Sequence, residues 1–117
     1  MSEHHAIDYV ELGVTDLERA KRFYAEAFGW EFNDYGPQYS GIRGSNGTEV
    51  GGLRLDDKAP SGGGPLVLLF STDLDASVEA VRAAGGTVAV EPYAFPGGRR
   101  FHFADPSGNE LGVWSES

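Results

Sequence analysis

The chain repeats itself at half its length. Thr15-Asp16-Leu17 returns 57 residues later as Thr72-Asp73-Leu74, and the same offset carries Val10 to Val67, Leu12 to Leu69 and Gly29 to Gly86. The order around these matches is also repeated: an apolar strand, a helix start, an amphipathic helix, a glycine stop, then short strands. A period close to half of 117 residues leaves room for two copies of one supersecondary unit around a shared core.

The local signals fill in the unit. Residues 6–12, extended by Val14, read as a strand. Leu17, Ala20, Phe23, Tyr24 and Ala27 recur at helical spacing over Asp16 to Phe28. Thr15 and Glu18 have the spacing of a capping box, and Gly29 suits a left-handed helix stop. Short strands are expected at 30–35, 39–43 and 48–55. Leu66–Phe70 restarts the pattern as a strand, and Leu74, Val78 and Val81 give the second helix its stripe, ending near Gly85-Gly86. Strands return at 88–90, 100–104 and 110–114. The expected fold is α+β: paired β-α-β-β-β modules forming a curved, partly open sheet around a central cleft. The expected organisation is one domain over 1–117, with module one at 6–55, a linker at 56–65 and module two at 66–115.

Composition narrows the function. Acidic residues outnumber basic ones 18 to 9, a net charge of -9, which repels nucleic-acid backbones and anionic membranes. No cysteine is present, which removes thiolate metal sites, disulfides and cysteine nucleophiles. No apolar run reaches the roughly 20 residues that span a bilayer, and the N-terminal residues lack the pattern of a secretory signal. The expected setting is cytoplasmic, with neither nucleic acid nor membrane as partner.

Strand alternation picks out the candidate site. Tyr9 and Glu11 share one face of the first strand, while Val10 and Leu12 take the other. Glu110, Gly112 and Trp114 share a face opposite Leu111 and Val113. Arg100 and His102 alternate with Phe101 and Phe103. Tyr9, Glu11, Leu66, Phe70, Arg100, His102 and Trp114 are therefore the expected ligand-lining residues. Gly112 is expected to leave space beside the indole. Asp105-Pro106-Ser107-Gly108-Asn109 reads as a structural turn.

Three stretches together carry a resemblance: Tyr9-Val-Glu-Leu followed by Asp16-Leu-Glu-Arg-Ala-Lys-Arg-Phe-Tyr and Phe28-Gly-Trp; Leu74 with Ala83-Ala-Gly-Gly; and Phe103-Ala-Asp-Pro-Ser-Gly-Asn-Glu-Leu. In this order they resemble the vicinal oxygen chelate superfamily of glyoxalases, extradiol dioxygenases and bleomycin-resistance proteins. The resemblance implies metal ligands at four places. Here those places hold Tyr9, Gly51 or Gly52, Leu66 and Gly112. Glycine and leucine offer no donor, so no metal and no cofactor are expected. A relocated cluster of Glu11, His102 and Glu110 is the alternative. The leading expectation is a metal-independent binder of a small organic molecule, aromatic or cationic, working as a homodimer. The alternatives are a lyase or isomerase using a displaced metal or a His/Glu acid–base pair, and a homodimeric interaction module with a vestigial cavity.

Overall fold

The two copies of the repeat fold into two four-stranded sheets of identical connectivity. The computed structural model describes residues 3–58 and 65–117. The first unit comprises β1 (Val10–Val14), α1 (Leu17–Phe28), β2 (Glu31–Asp34), β3 (Tyr39–Arg43) and β4 (Glu49–Leu55). The second comprises β5 (Leu68–Phe70), α2 (Leu74–Ala83), β6 (Thr87–Phe95), β7 (Gly98–Ala104) and β8 (Glu110–Ser115). The strand orders are β1-β4-β3-β2 and β5-β8-β7-β6. In each, the strand before the helix pairs in parallel with the last strand, and the other neighbours are antiparallel. The β-α-β-β-β expectation holds in both halves. Most of the expected linker, residues 59–64, lies outside the described residues.

Both helices start on an aspartate with extended backbone. The Asp16 side chain accepts the Arg19 N–H, and the Asp73 side chain accepts the Ala76 N–H. Asp16, not the expected Thr15, is the cap; Thr15 instead turns its N–H to the Ser107 hydroxyl. Asp is as good a cap as Ser or Thr because one carboxylate oxygen satisfies an orphan donor of the first turn. Gly29 ends α1 in the left-handed region at φ 72°. At the end of α2 the positive-φ residue is Gly85. Gly86, the formal match of Gly29, has a different task. A methyl group there would run into the Phe23 ring of α1, so this glycine lets the two units approach.

One core joins the units. Phe23 and Tyr24 of α1 pack with Leu74, Val78 and Val81 of α2, with Phe101, Phe103, Leu111 and Val113 of the second sheet, and with Val14, Ile42 and Leu53 of the first. Phe23 lies 5.9 Å from Phe103, centroid to centroid. Trp30 stacks on Tyr24 at 4.4 Å and belongs to this packing. The polar joint is equally well filled. Tyr24 Oη donates to buried Asp105 at 2.8 Å. Asp105 also accepts from the Ser107 and Asn109 N–H groups. Asn109 Nδ2 crosses to the Gly13 carbonyl at 2.7 Å. The Asp105–Asn109 segment is thus the structural turn its composition indicates, and it ties β1 and α1 to the second sheet.

This packing leaves each sheet with an inner face against the helices and an outer face that no described segment covers. The outer faces are where the expected site residues within the strands stand; Tyr9 lies just before β1, and Leu66, expected inside a strand, lies before β5, which begins at Leu68.

Candidate functional site

On the first sheet, the cross-strand row Glu11, Gly52, Gly41, Asn33 runs over the outer face. Two adjacent glycines make a trough in that row. The trough does not stay empty. A methyl group on Gly52 would meet the Tyr39 hydroxyl and ring, and one on Gly41 would meet the Glu49 carboxylate. Tyr9, one residue before β1, leans onto the same spot. Its hydroxyl donates to Glu49 Oε2 at 2.8 Å and lies 2.7 Å from the Tyr39 hydroxyl. Tyr39 in turn donates to Glu11 Oε2 at 2.9 Å. Glu49 Oε1 accepts from Tyr35 and from Asn33, while Arg54 bridges Glu11 and Asp56.

The electrostatics follow from these bonds. The donors Asn33, Tyr35 and Tyr9 hold the Glu49 carboxyl below its ordinary pKa. Burial, then the contacts with Tyr39 and Glu49, push the Tyr9 phenol well above its ordinary value. Burial, with the Glu11 carboxylate adding to it, also raises Tyr39. Both phenols therefore keep their protons. Two hydroxyl protons then serve three short contacts, Glu49–Tyr9, Tyr9–Tyr39 and Tyr39–Glu11. With both carboxylates ionised, one of the three contacts lacks a hydrogen.

The second sheet presents a different surface. Phe70, Trp114, Arg100 and Tyr93 form one cross-strand row on its outer face, and Leu68, Gly112, His102 and Val90 form the next. The Trp114 ring meets Phe70 at 5.0 Å and Phe95 at 6.3 Å, both edge-on. The Arg100 guanidinium lies over the rings of Tyr93 and Phe95 and donates through Nε to the Tyr93 hydroxyl. His102 Nδ1 is 2.9 Å from Glu110 Oε2. Phe70 is 54 % exposed, and Leu66, Leu68 and Val90 are exposed as well.

Among the expected residues, Tyr9 and Glu11 are brought together on the first sheet. Phe70, Arg100, His102 and Trp114 are brought together on the second. The structure does not join the two groups, because the units pack through their inner faces. The relocated Glu11–His102–Glu110 cluster is accordingly not formed: Glu11 is held by Tyr39 and Arg54, and His102 and Glu110 face each other on the other sheet. Among the described residues, no group of three or more His, Asp or Glu side chains is placed to hold a metal ion. The space expected beside Trp114 is also taken, since a Leu68 methyl sits where Gly112 would carry a side chain. A cavity of about 580 Å³ does exist, but on the inner side, between Val10, Leu12, Trp30, Ile42, Leu69 and Leu111. None of the expected ligand residues lines it.

Tyr35, Tyr39, Glu49, Arg54 and Tyr93 complete these clusters without having been expected as ligand residues. Pro92 hides Tyr93, because a proline argues against a continuing strand. Here β6 is an edge strand whose register shifts between Val88 and Val90 and again between Val90 and Tyr93, so the proline is accommodated.

The family model for the Glyoxalase/Bleomycin resistance protein/Dioxygenase superfamily matches residues 6–113. The chain belongs to this superfamily. Among solved superfamily structures, a glyoxalase-related enzyme from Fulvimarina pelagi is 26 % identical, with a TM-score of 0.78 over 96 % of this chain and 88 % of that one. TnmS3, an antibiotic-binding protein from Streptomyces sp. CB03234, is 26 % identical, with a TM-score of 0.72 and full coverage of both chains. CFP32 of Mycobacterium tuberculosis, named as a candidate glyoxylase, is 32 % identical over 116 residues. The alignment covers 92 % of this chain but 44 % of CFP32, so the chain spans about half the length of that relative.

The superfamily's metal does not fit this donor set. Of the four ligand places, Leu66 and the glycines carry no donor. Tyr39 fills the space over Gly52, Leu68 fills that over Gly112, and the Tyr9 phenol is held protonated. Among the described residues, no helix is long and apolar enough to cross a membrane.

Proposed function

We propose that this superfamily member is a metal-independent small-molecule-binding protein for a partly aromatic ligand, working in the cytoplasm with neither nucleic acid nor membrane as partner. The observation that carries the reading is the uncovered row Phe70, Trp114, Arg100 and Tyr93. Rings that no segment of the described chain covers gain by burying a flat ligand, at about 25 cal/mol per Å² of apolar surface removed from water. The antibiotic-binding relative TnmS3 supports a binding role for this fold without fixing the ligand. Tyr9 and Glu11 on the first sheet offer acceptors for a cationic or donor-rich substituent. Leu66, Phe70, Arg100, His102 and Trp114 offer apolar surface and a cation on the second.

A homodimer belongs to this reading. One chain cannot bring its own two outer faces together, whereas a second copy supplies the missing face to each. β1 and β5 are both edge strands, and the exposed Leu66, Leu68, Phe70 and Val90 are suited to burial. Sedimentation should give twice the 12.5 kDa chain mass at micromolar concentration.

The test is a thermal-shift screen of antibiotics and metabolites, followed by titration of the hits into wild type and Trp114→Ala. Losing the ring should weaken binding by about 0.5–1.5 kcal/mol beyond area burial. Unchanged affinity in a folded Trp114→Ala variant overturns the reading.

A further inference from the structure

We propose that the second sheet carries a metal-free acid–base site in which Tyr93 exchanges a proton with an enolisable aryl carbonyl compound, set up by Arg100, His102 and Glu110. This goes beyond ligand binding and rests on the same aromatic row as its binding surface.

The four side chains come from three adjacent strands and stand on one face: Tyr93 on β6, Arg100 and His102 on β7, Glu110 on β8. Their hydrogen bonds can be assigned a direction. Arg100 Nε–H can only donate, so Tyr93 Oη accepts from it. The ionised Glu110 carboxylate can only accept, so Nδ1 of His102 carries a proton. In neutral imidazole this leaves a lone pair on Nε2, which faces the Tyr93 hydroxyl at 3.4 Å. The Tyr93 proton thus points at a base, and the base is oriented by a carboxylate. The distance is long for a formed bond, but such contacts tighten when substrate is bound. Every link in this chain has one donor and one acceptor.

Arg100 adds the second requirement. Arg43, Arg54, Arg82 and Arg99 each pair with a carboxylate. Half-buried Arg100 forms no ion pair among the described residues and is pinned over two rings instead. In an acidic chain, its terminal nitrogens are left to receive an oxyanion. Trp114 stands directly opposite Arg100 in the β7–β8 register, with Phe70 beyond it. A substrate ring on Trp114 and Phe70 brings its carbonyl oxygen to Arg100 and the adjacent C–H to Tyr93.

The step balances without an oxidant or metal. The C–H bond next to the carbonyl breaks, and its proton goes to Tyr93 Oη as the hydroxyl's own proton passes to His102 Nε2. The electron pair becomes an enolate, whose oxygen is held by Arg100. Glu110 stabilises the imidazolium through Nδ1–H. Return of the proton to the same carbon gives exchange, and its return to the oxygen instead gives the enol tautomer. The other neighbours on this face, Leu68, Phe70, Phe95, Val90 and Trp114, carry no charge.

The experiment is deuterium exchange of phenylacetone and phenylpyruvate in buffered heavy water, followed by proton NMR with the full chain. Binding of the same probes is read separately from Trp fluorescence. Wild type should exchange at least one probe faster than matched buffer. Tyr93→Phe and His102→Gln should each lower that rate on the order of 100-fold, with probe binding kept. If Tyr93→Phe does not fold, His102→Gln decides. Exchange no faster than buffer for either probe, despite binding, overturns the relay and leaves the binding reading standing. An unaltered rate in a folded variant also overturns it. Absence of probe binding in a protein that still exchanges supports the relay and counts against the aromatic binding surface.

Discussion

Replacing Tyr24 with phenylalanine isolates the joint between the two units. The ring keeps its stacking on Trp30 and its packing beside Phe23, because the only atom removed is the hydroxyl oxygen. What disappears is a fully buried bond of 2.8 Å to the Asp105 carboxylate. Asp105 Oδ2 is left with Asn109 Nδ2 at 3.1 Å as its remaining partner. A hydrogen bond to a charged group contributes about 1.5–3 kcal/mol. For a chain of this length, the entropy of unfolding turns that into a melting-temperature drop of about 6–12 °C. Urea unfolding should show the same loss with an unchanged slope, since the surface exposed on unfolding does not change. Ser107→Ala, which keeps the Ser107 N–H bond to Asp105 and removes only the hydroxyl's exposed contacts to Thr15, is the control and should stay within about 0.5 kcal/mol. A Tyr24→Phe loss below about 0.5 kcal/mol would refute the view that this buried bond locks the units together.

Gly52→Ala should expel the Tyr39 ring, because the added methyl group overlaps it; the bonds to Glu11 and Tyr9 go with it, lowering stability by about 1 kcal/mol. An NMR or crystal structure of the variant with Tyr39 in place would contradict this. The pH response of the first sheet has a definite sign. Glu49 has a folded pKa below its unfolded value, so its contribution is present above the unfolded carboxylate value of about 4.3 and is lost as pH falls through the folded one. Tyrosine absorbance should therefore stay constant down to about pH 4.3 and change below it, and Glu49→Gln should abolish that step. Asp73→Ala removes the α2 cap and should cost about 1 kcal/mol by urea unfolding, an effect a free Ala76 N–H makes unavoidable.

Much of this architecture is legible because strand alternation and helix caps are local. Phe101 and Phe103 are fully buried while Arg100 and His102 face outward, as their parity indicates. Leu111 and Val113 are buried opposite Trp114 for the same reason. The helix starts after Asp16 and Asp73 stand one repeat apart, although the cap of α1 is Asp16 where the capping-box spacing points to Thr15. The glycine trough is less accessible. That Glu49 lies over Gly41 and Tyr39 over Gly52 depends on the mutual register of three strands and on a shift between Ile42 and Arg43. No single segment encodes that. Parity also assigns Tyr9 and Trp114 to outer faces without telling that the two faces belong to different sheets, since that depends on how the helices pack.

The shortage of one hydrogen between Glu49, Tyr9, Tyr39 and Glu11 gives the first sheet three interchangeable arrangements. In the first, Tyr9 points its proton at Glu49 and Tyr39 points its own at Glu11; in the second, Tyr9 turns to Tyr39; in the third, Tyr39 turns to Tyr9. They differ only by rotation of a hydroxyl, yet they move the unsatisfied oxygen pair between the middle of the row and either end. An N–H or O–H group brought to any of these places would meet an acceptor at the cost of a torsion rather than of a backbone movement. The place of the open acceptor on this surface can thus change while the heavy atoms stay still.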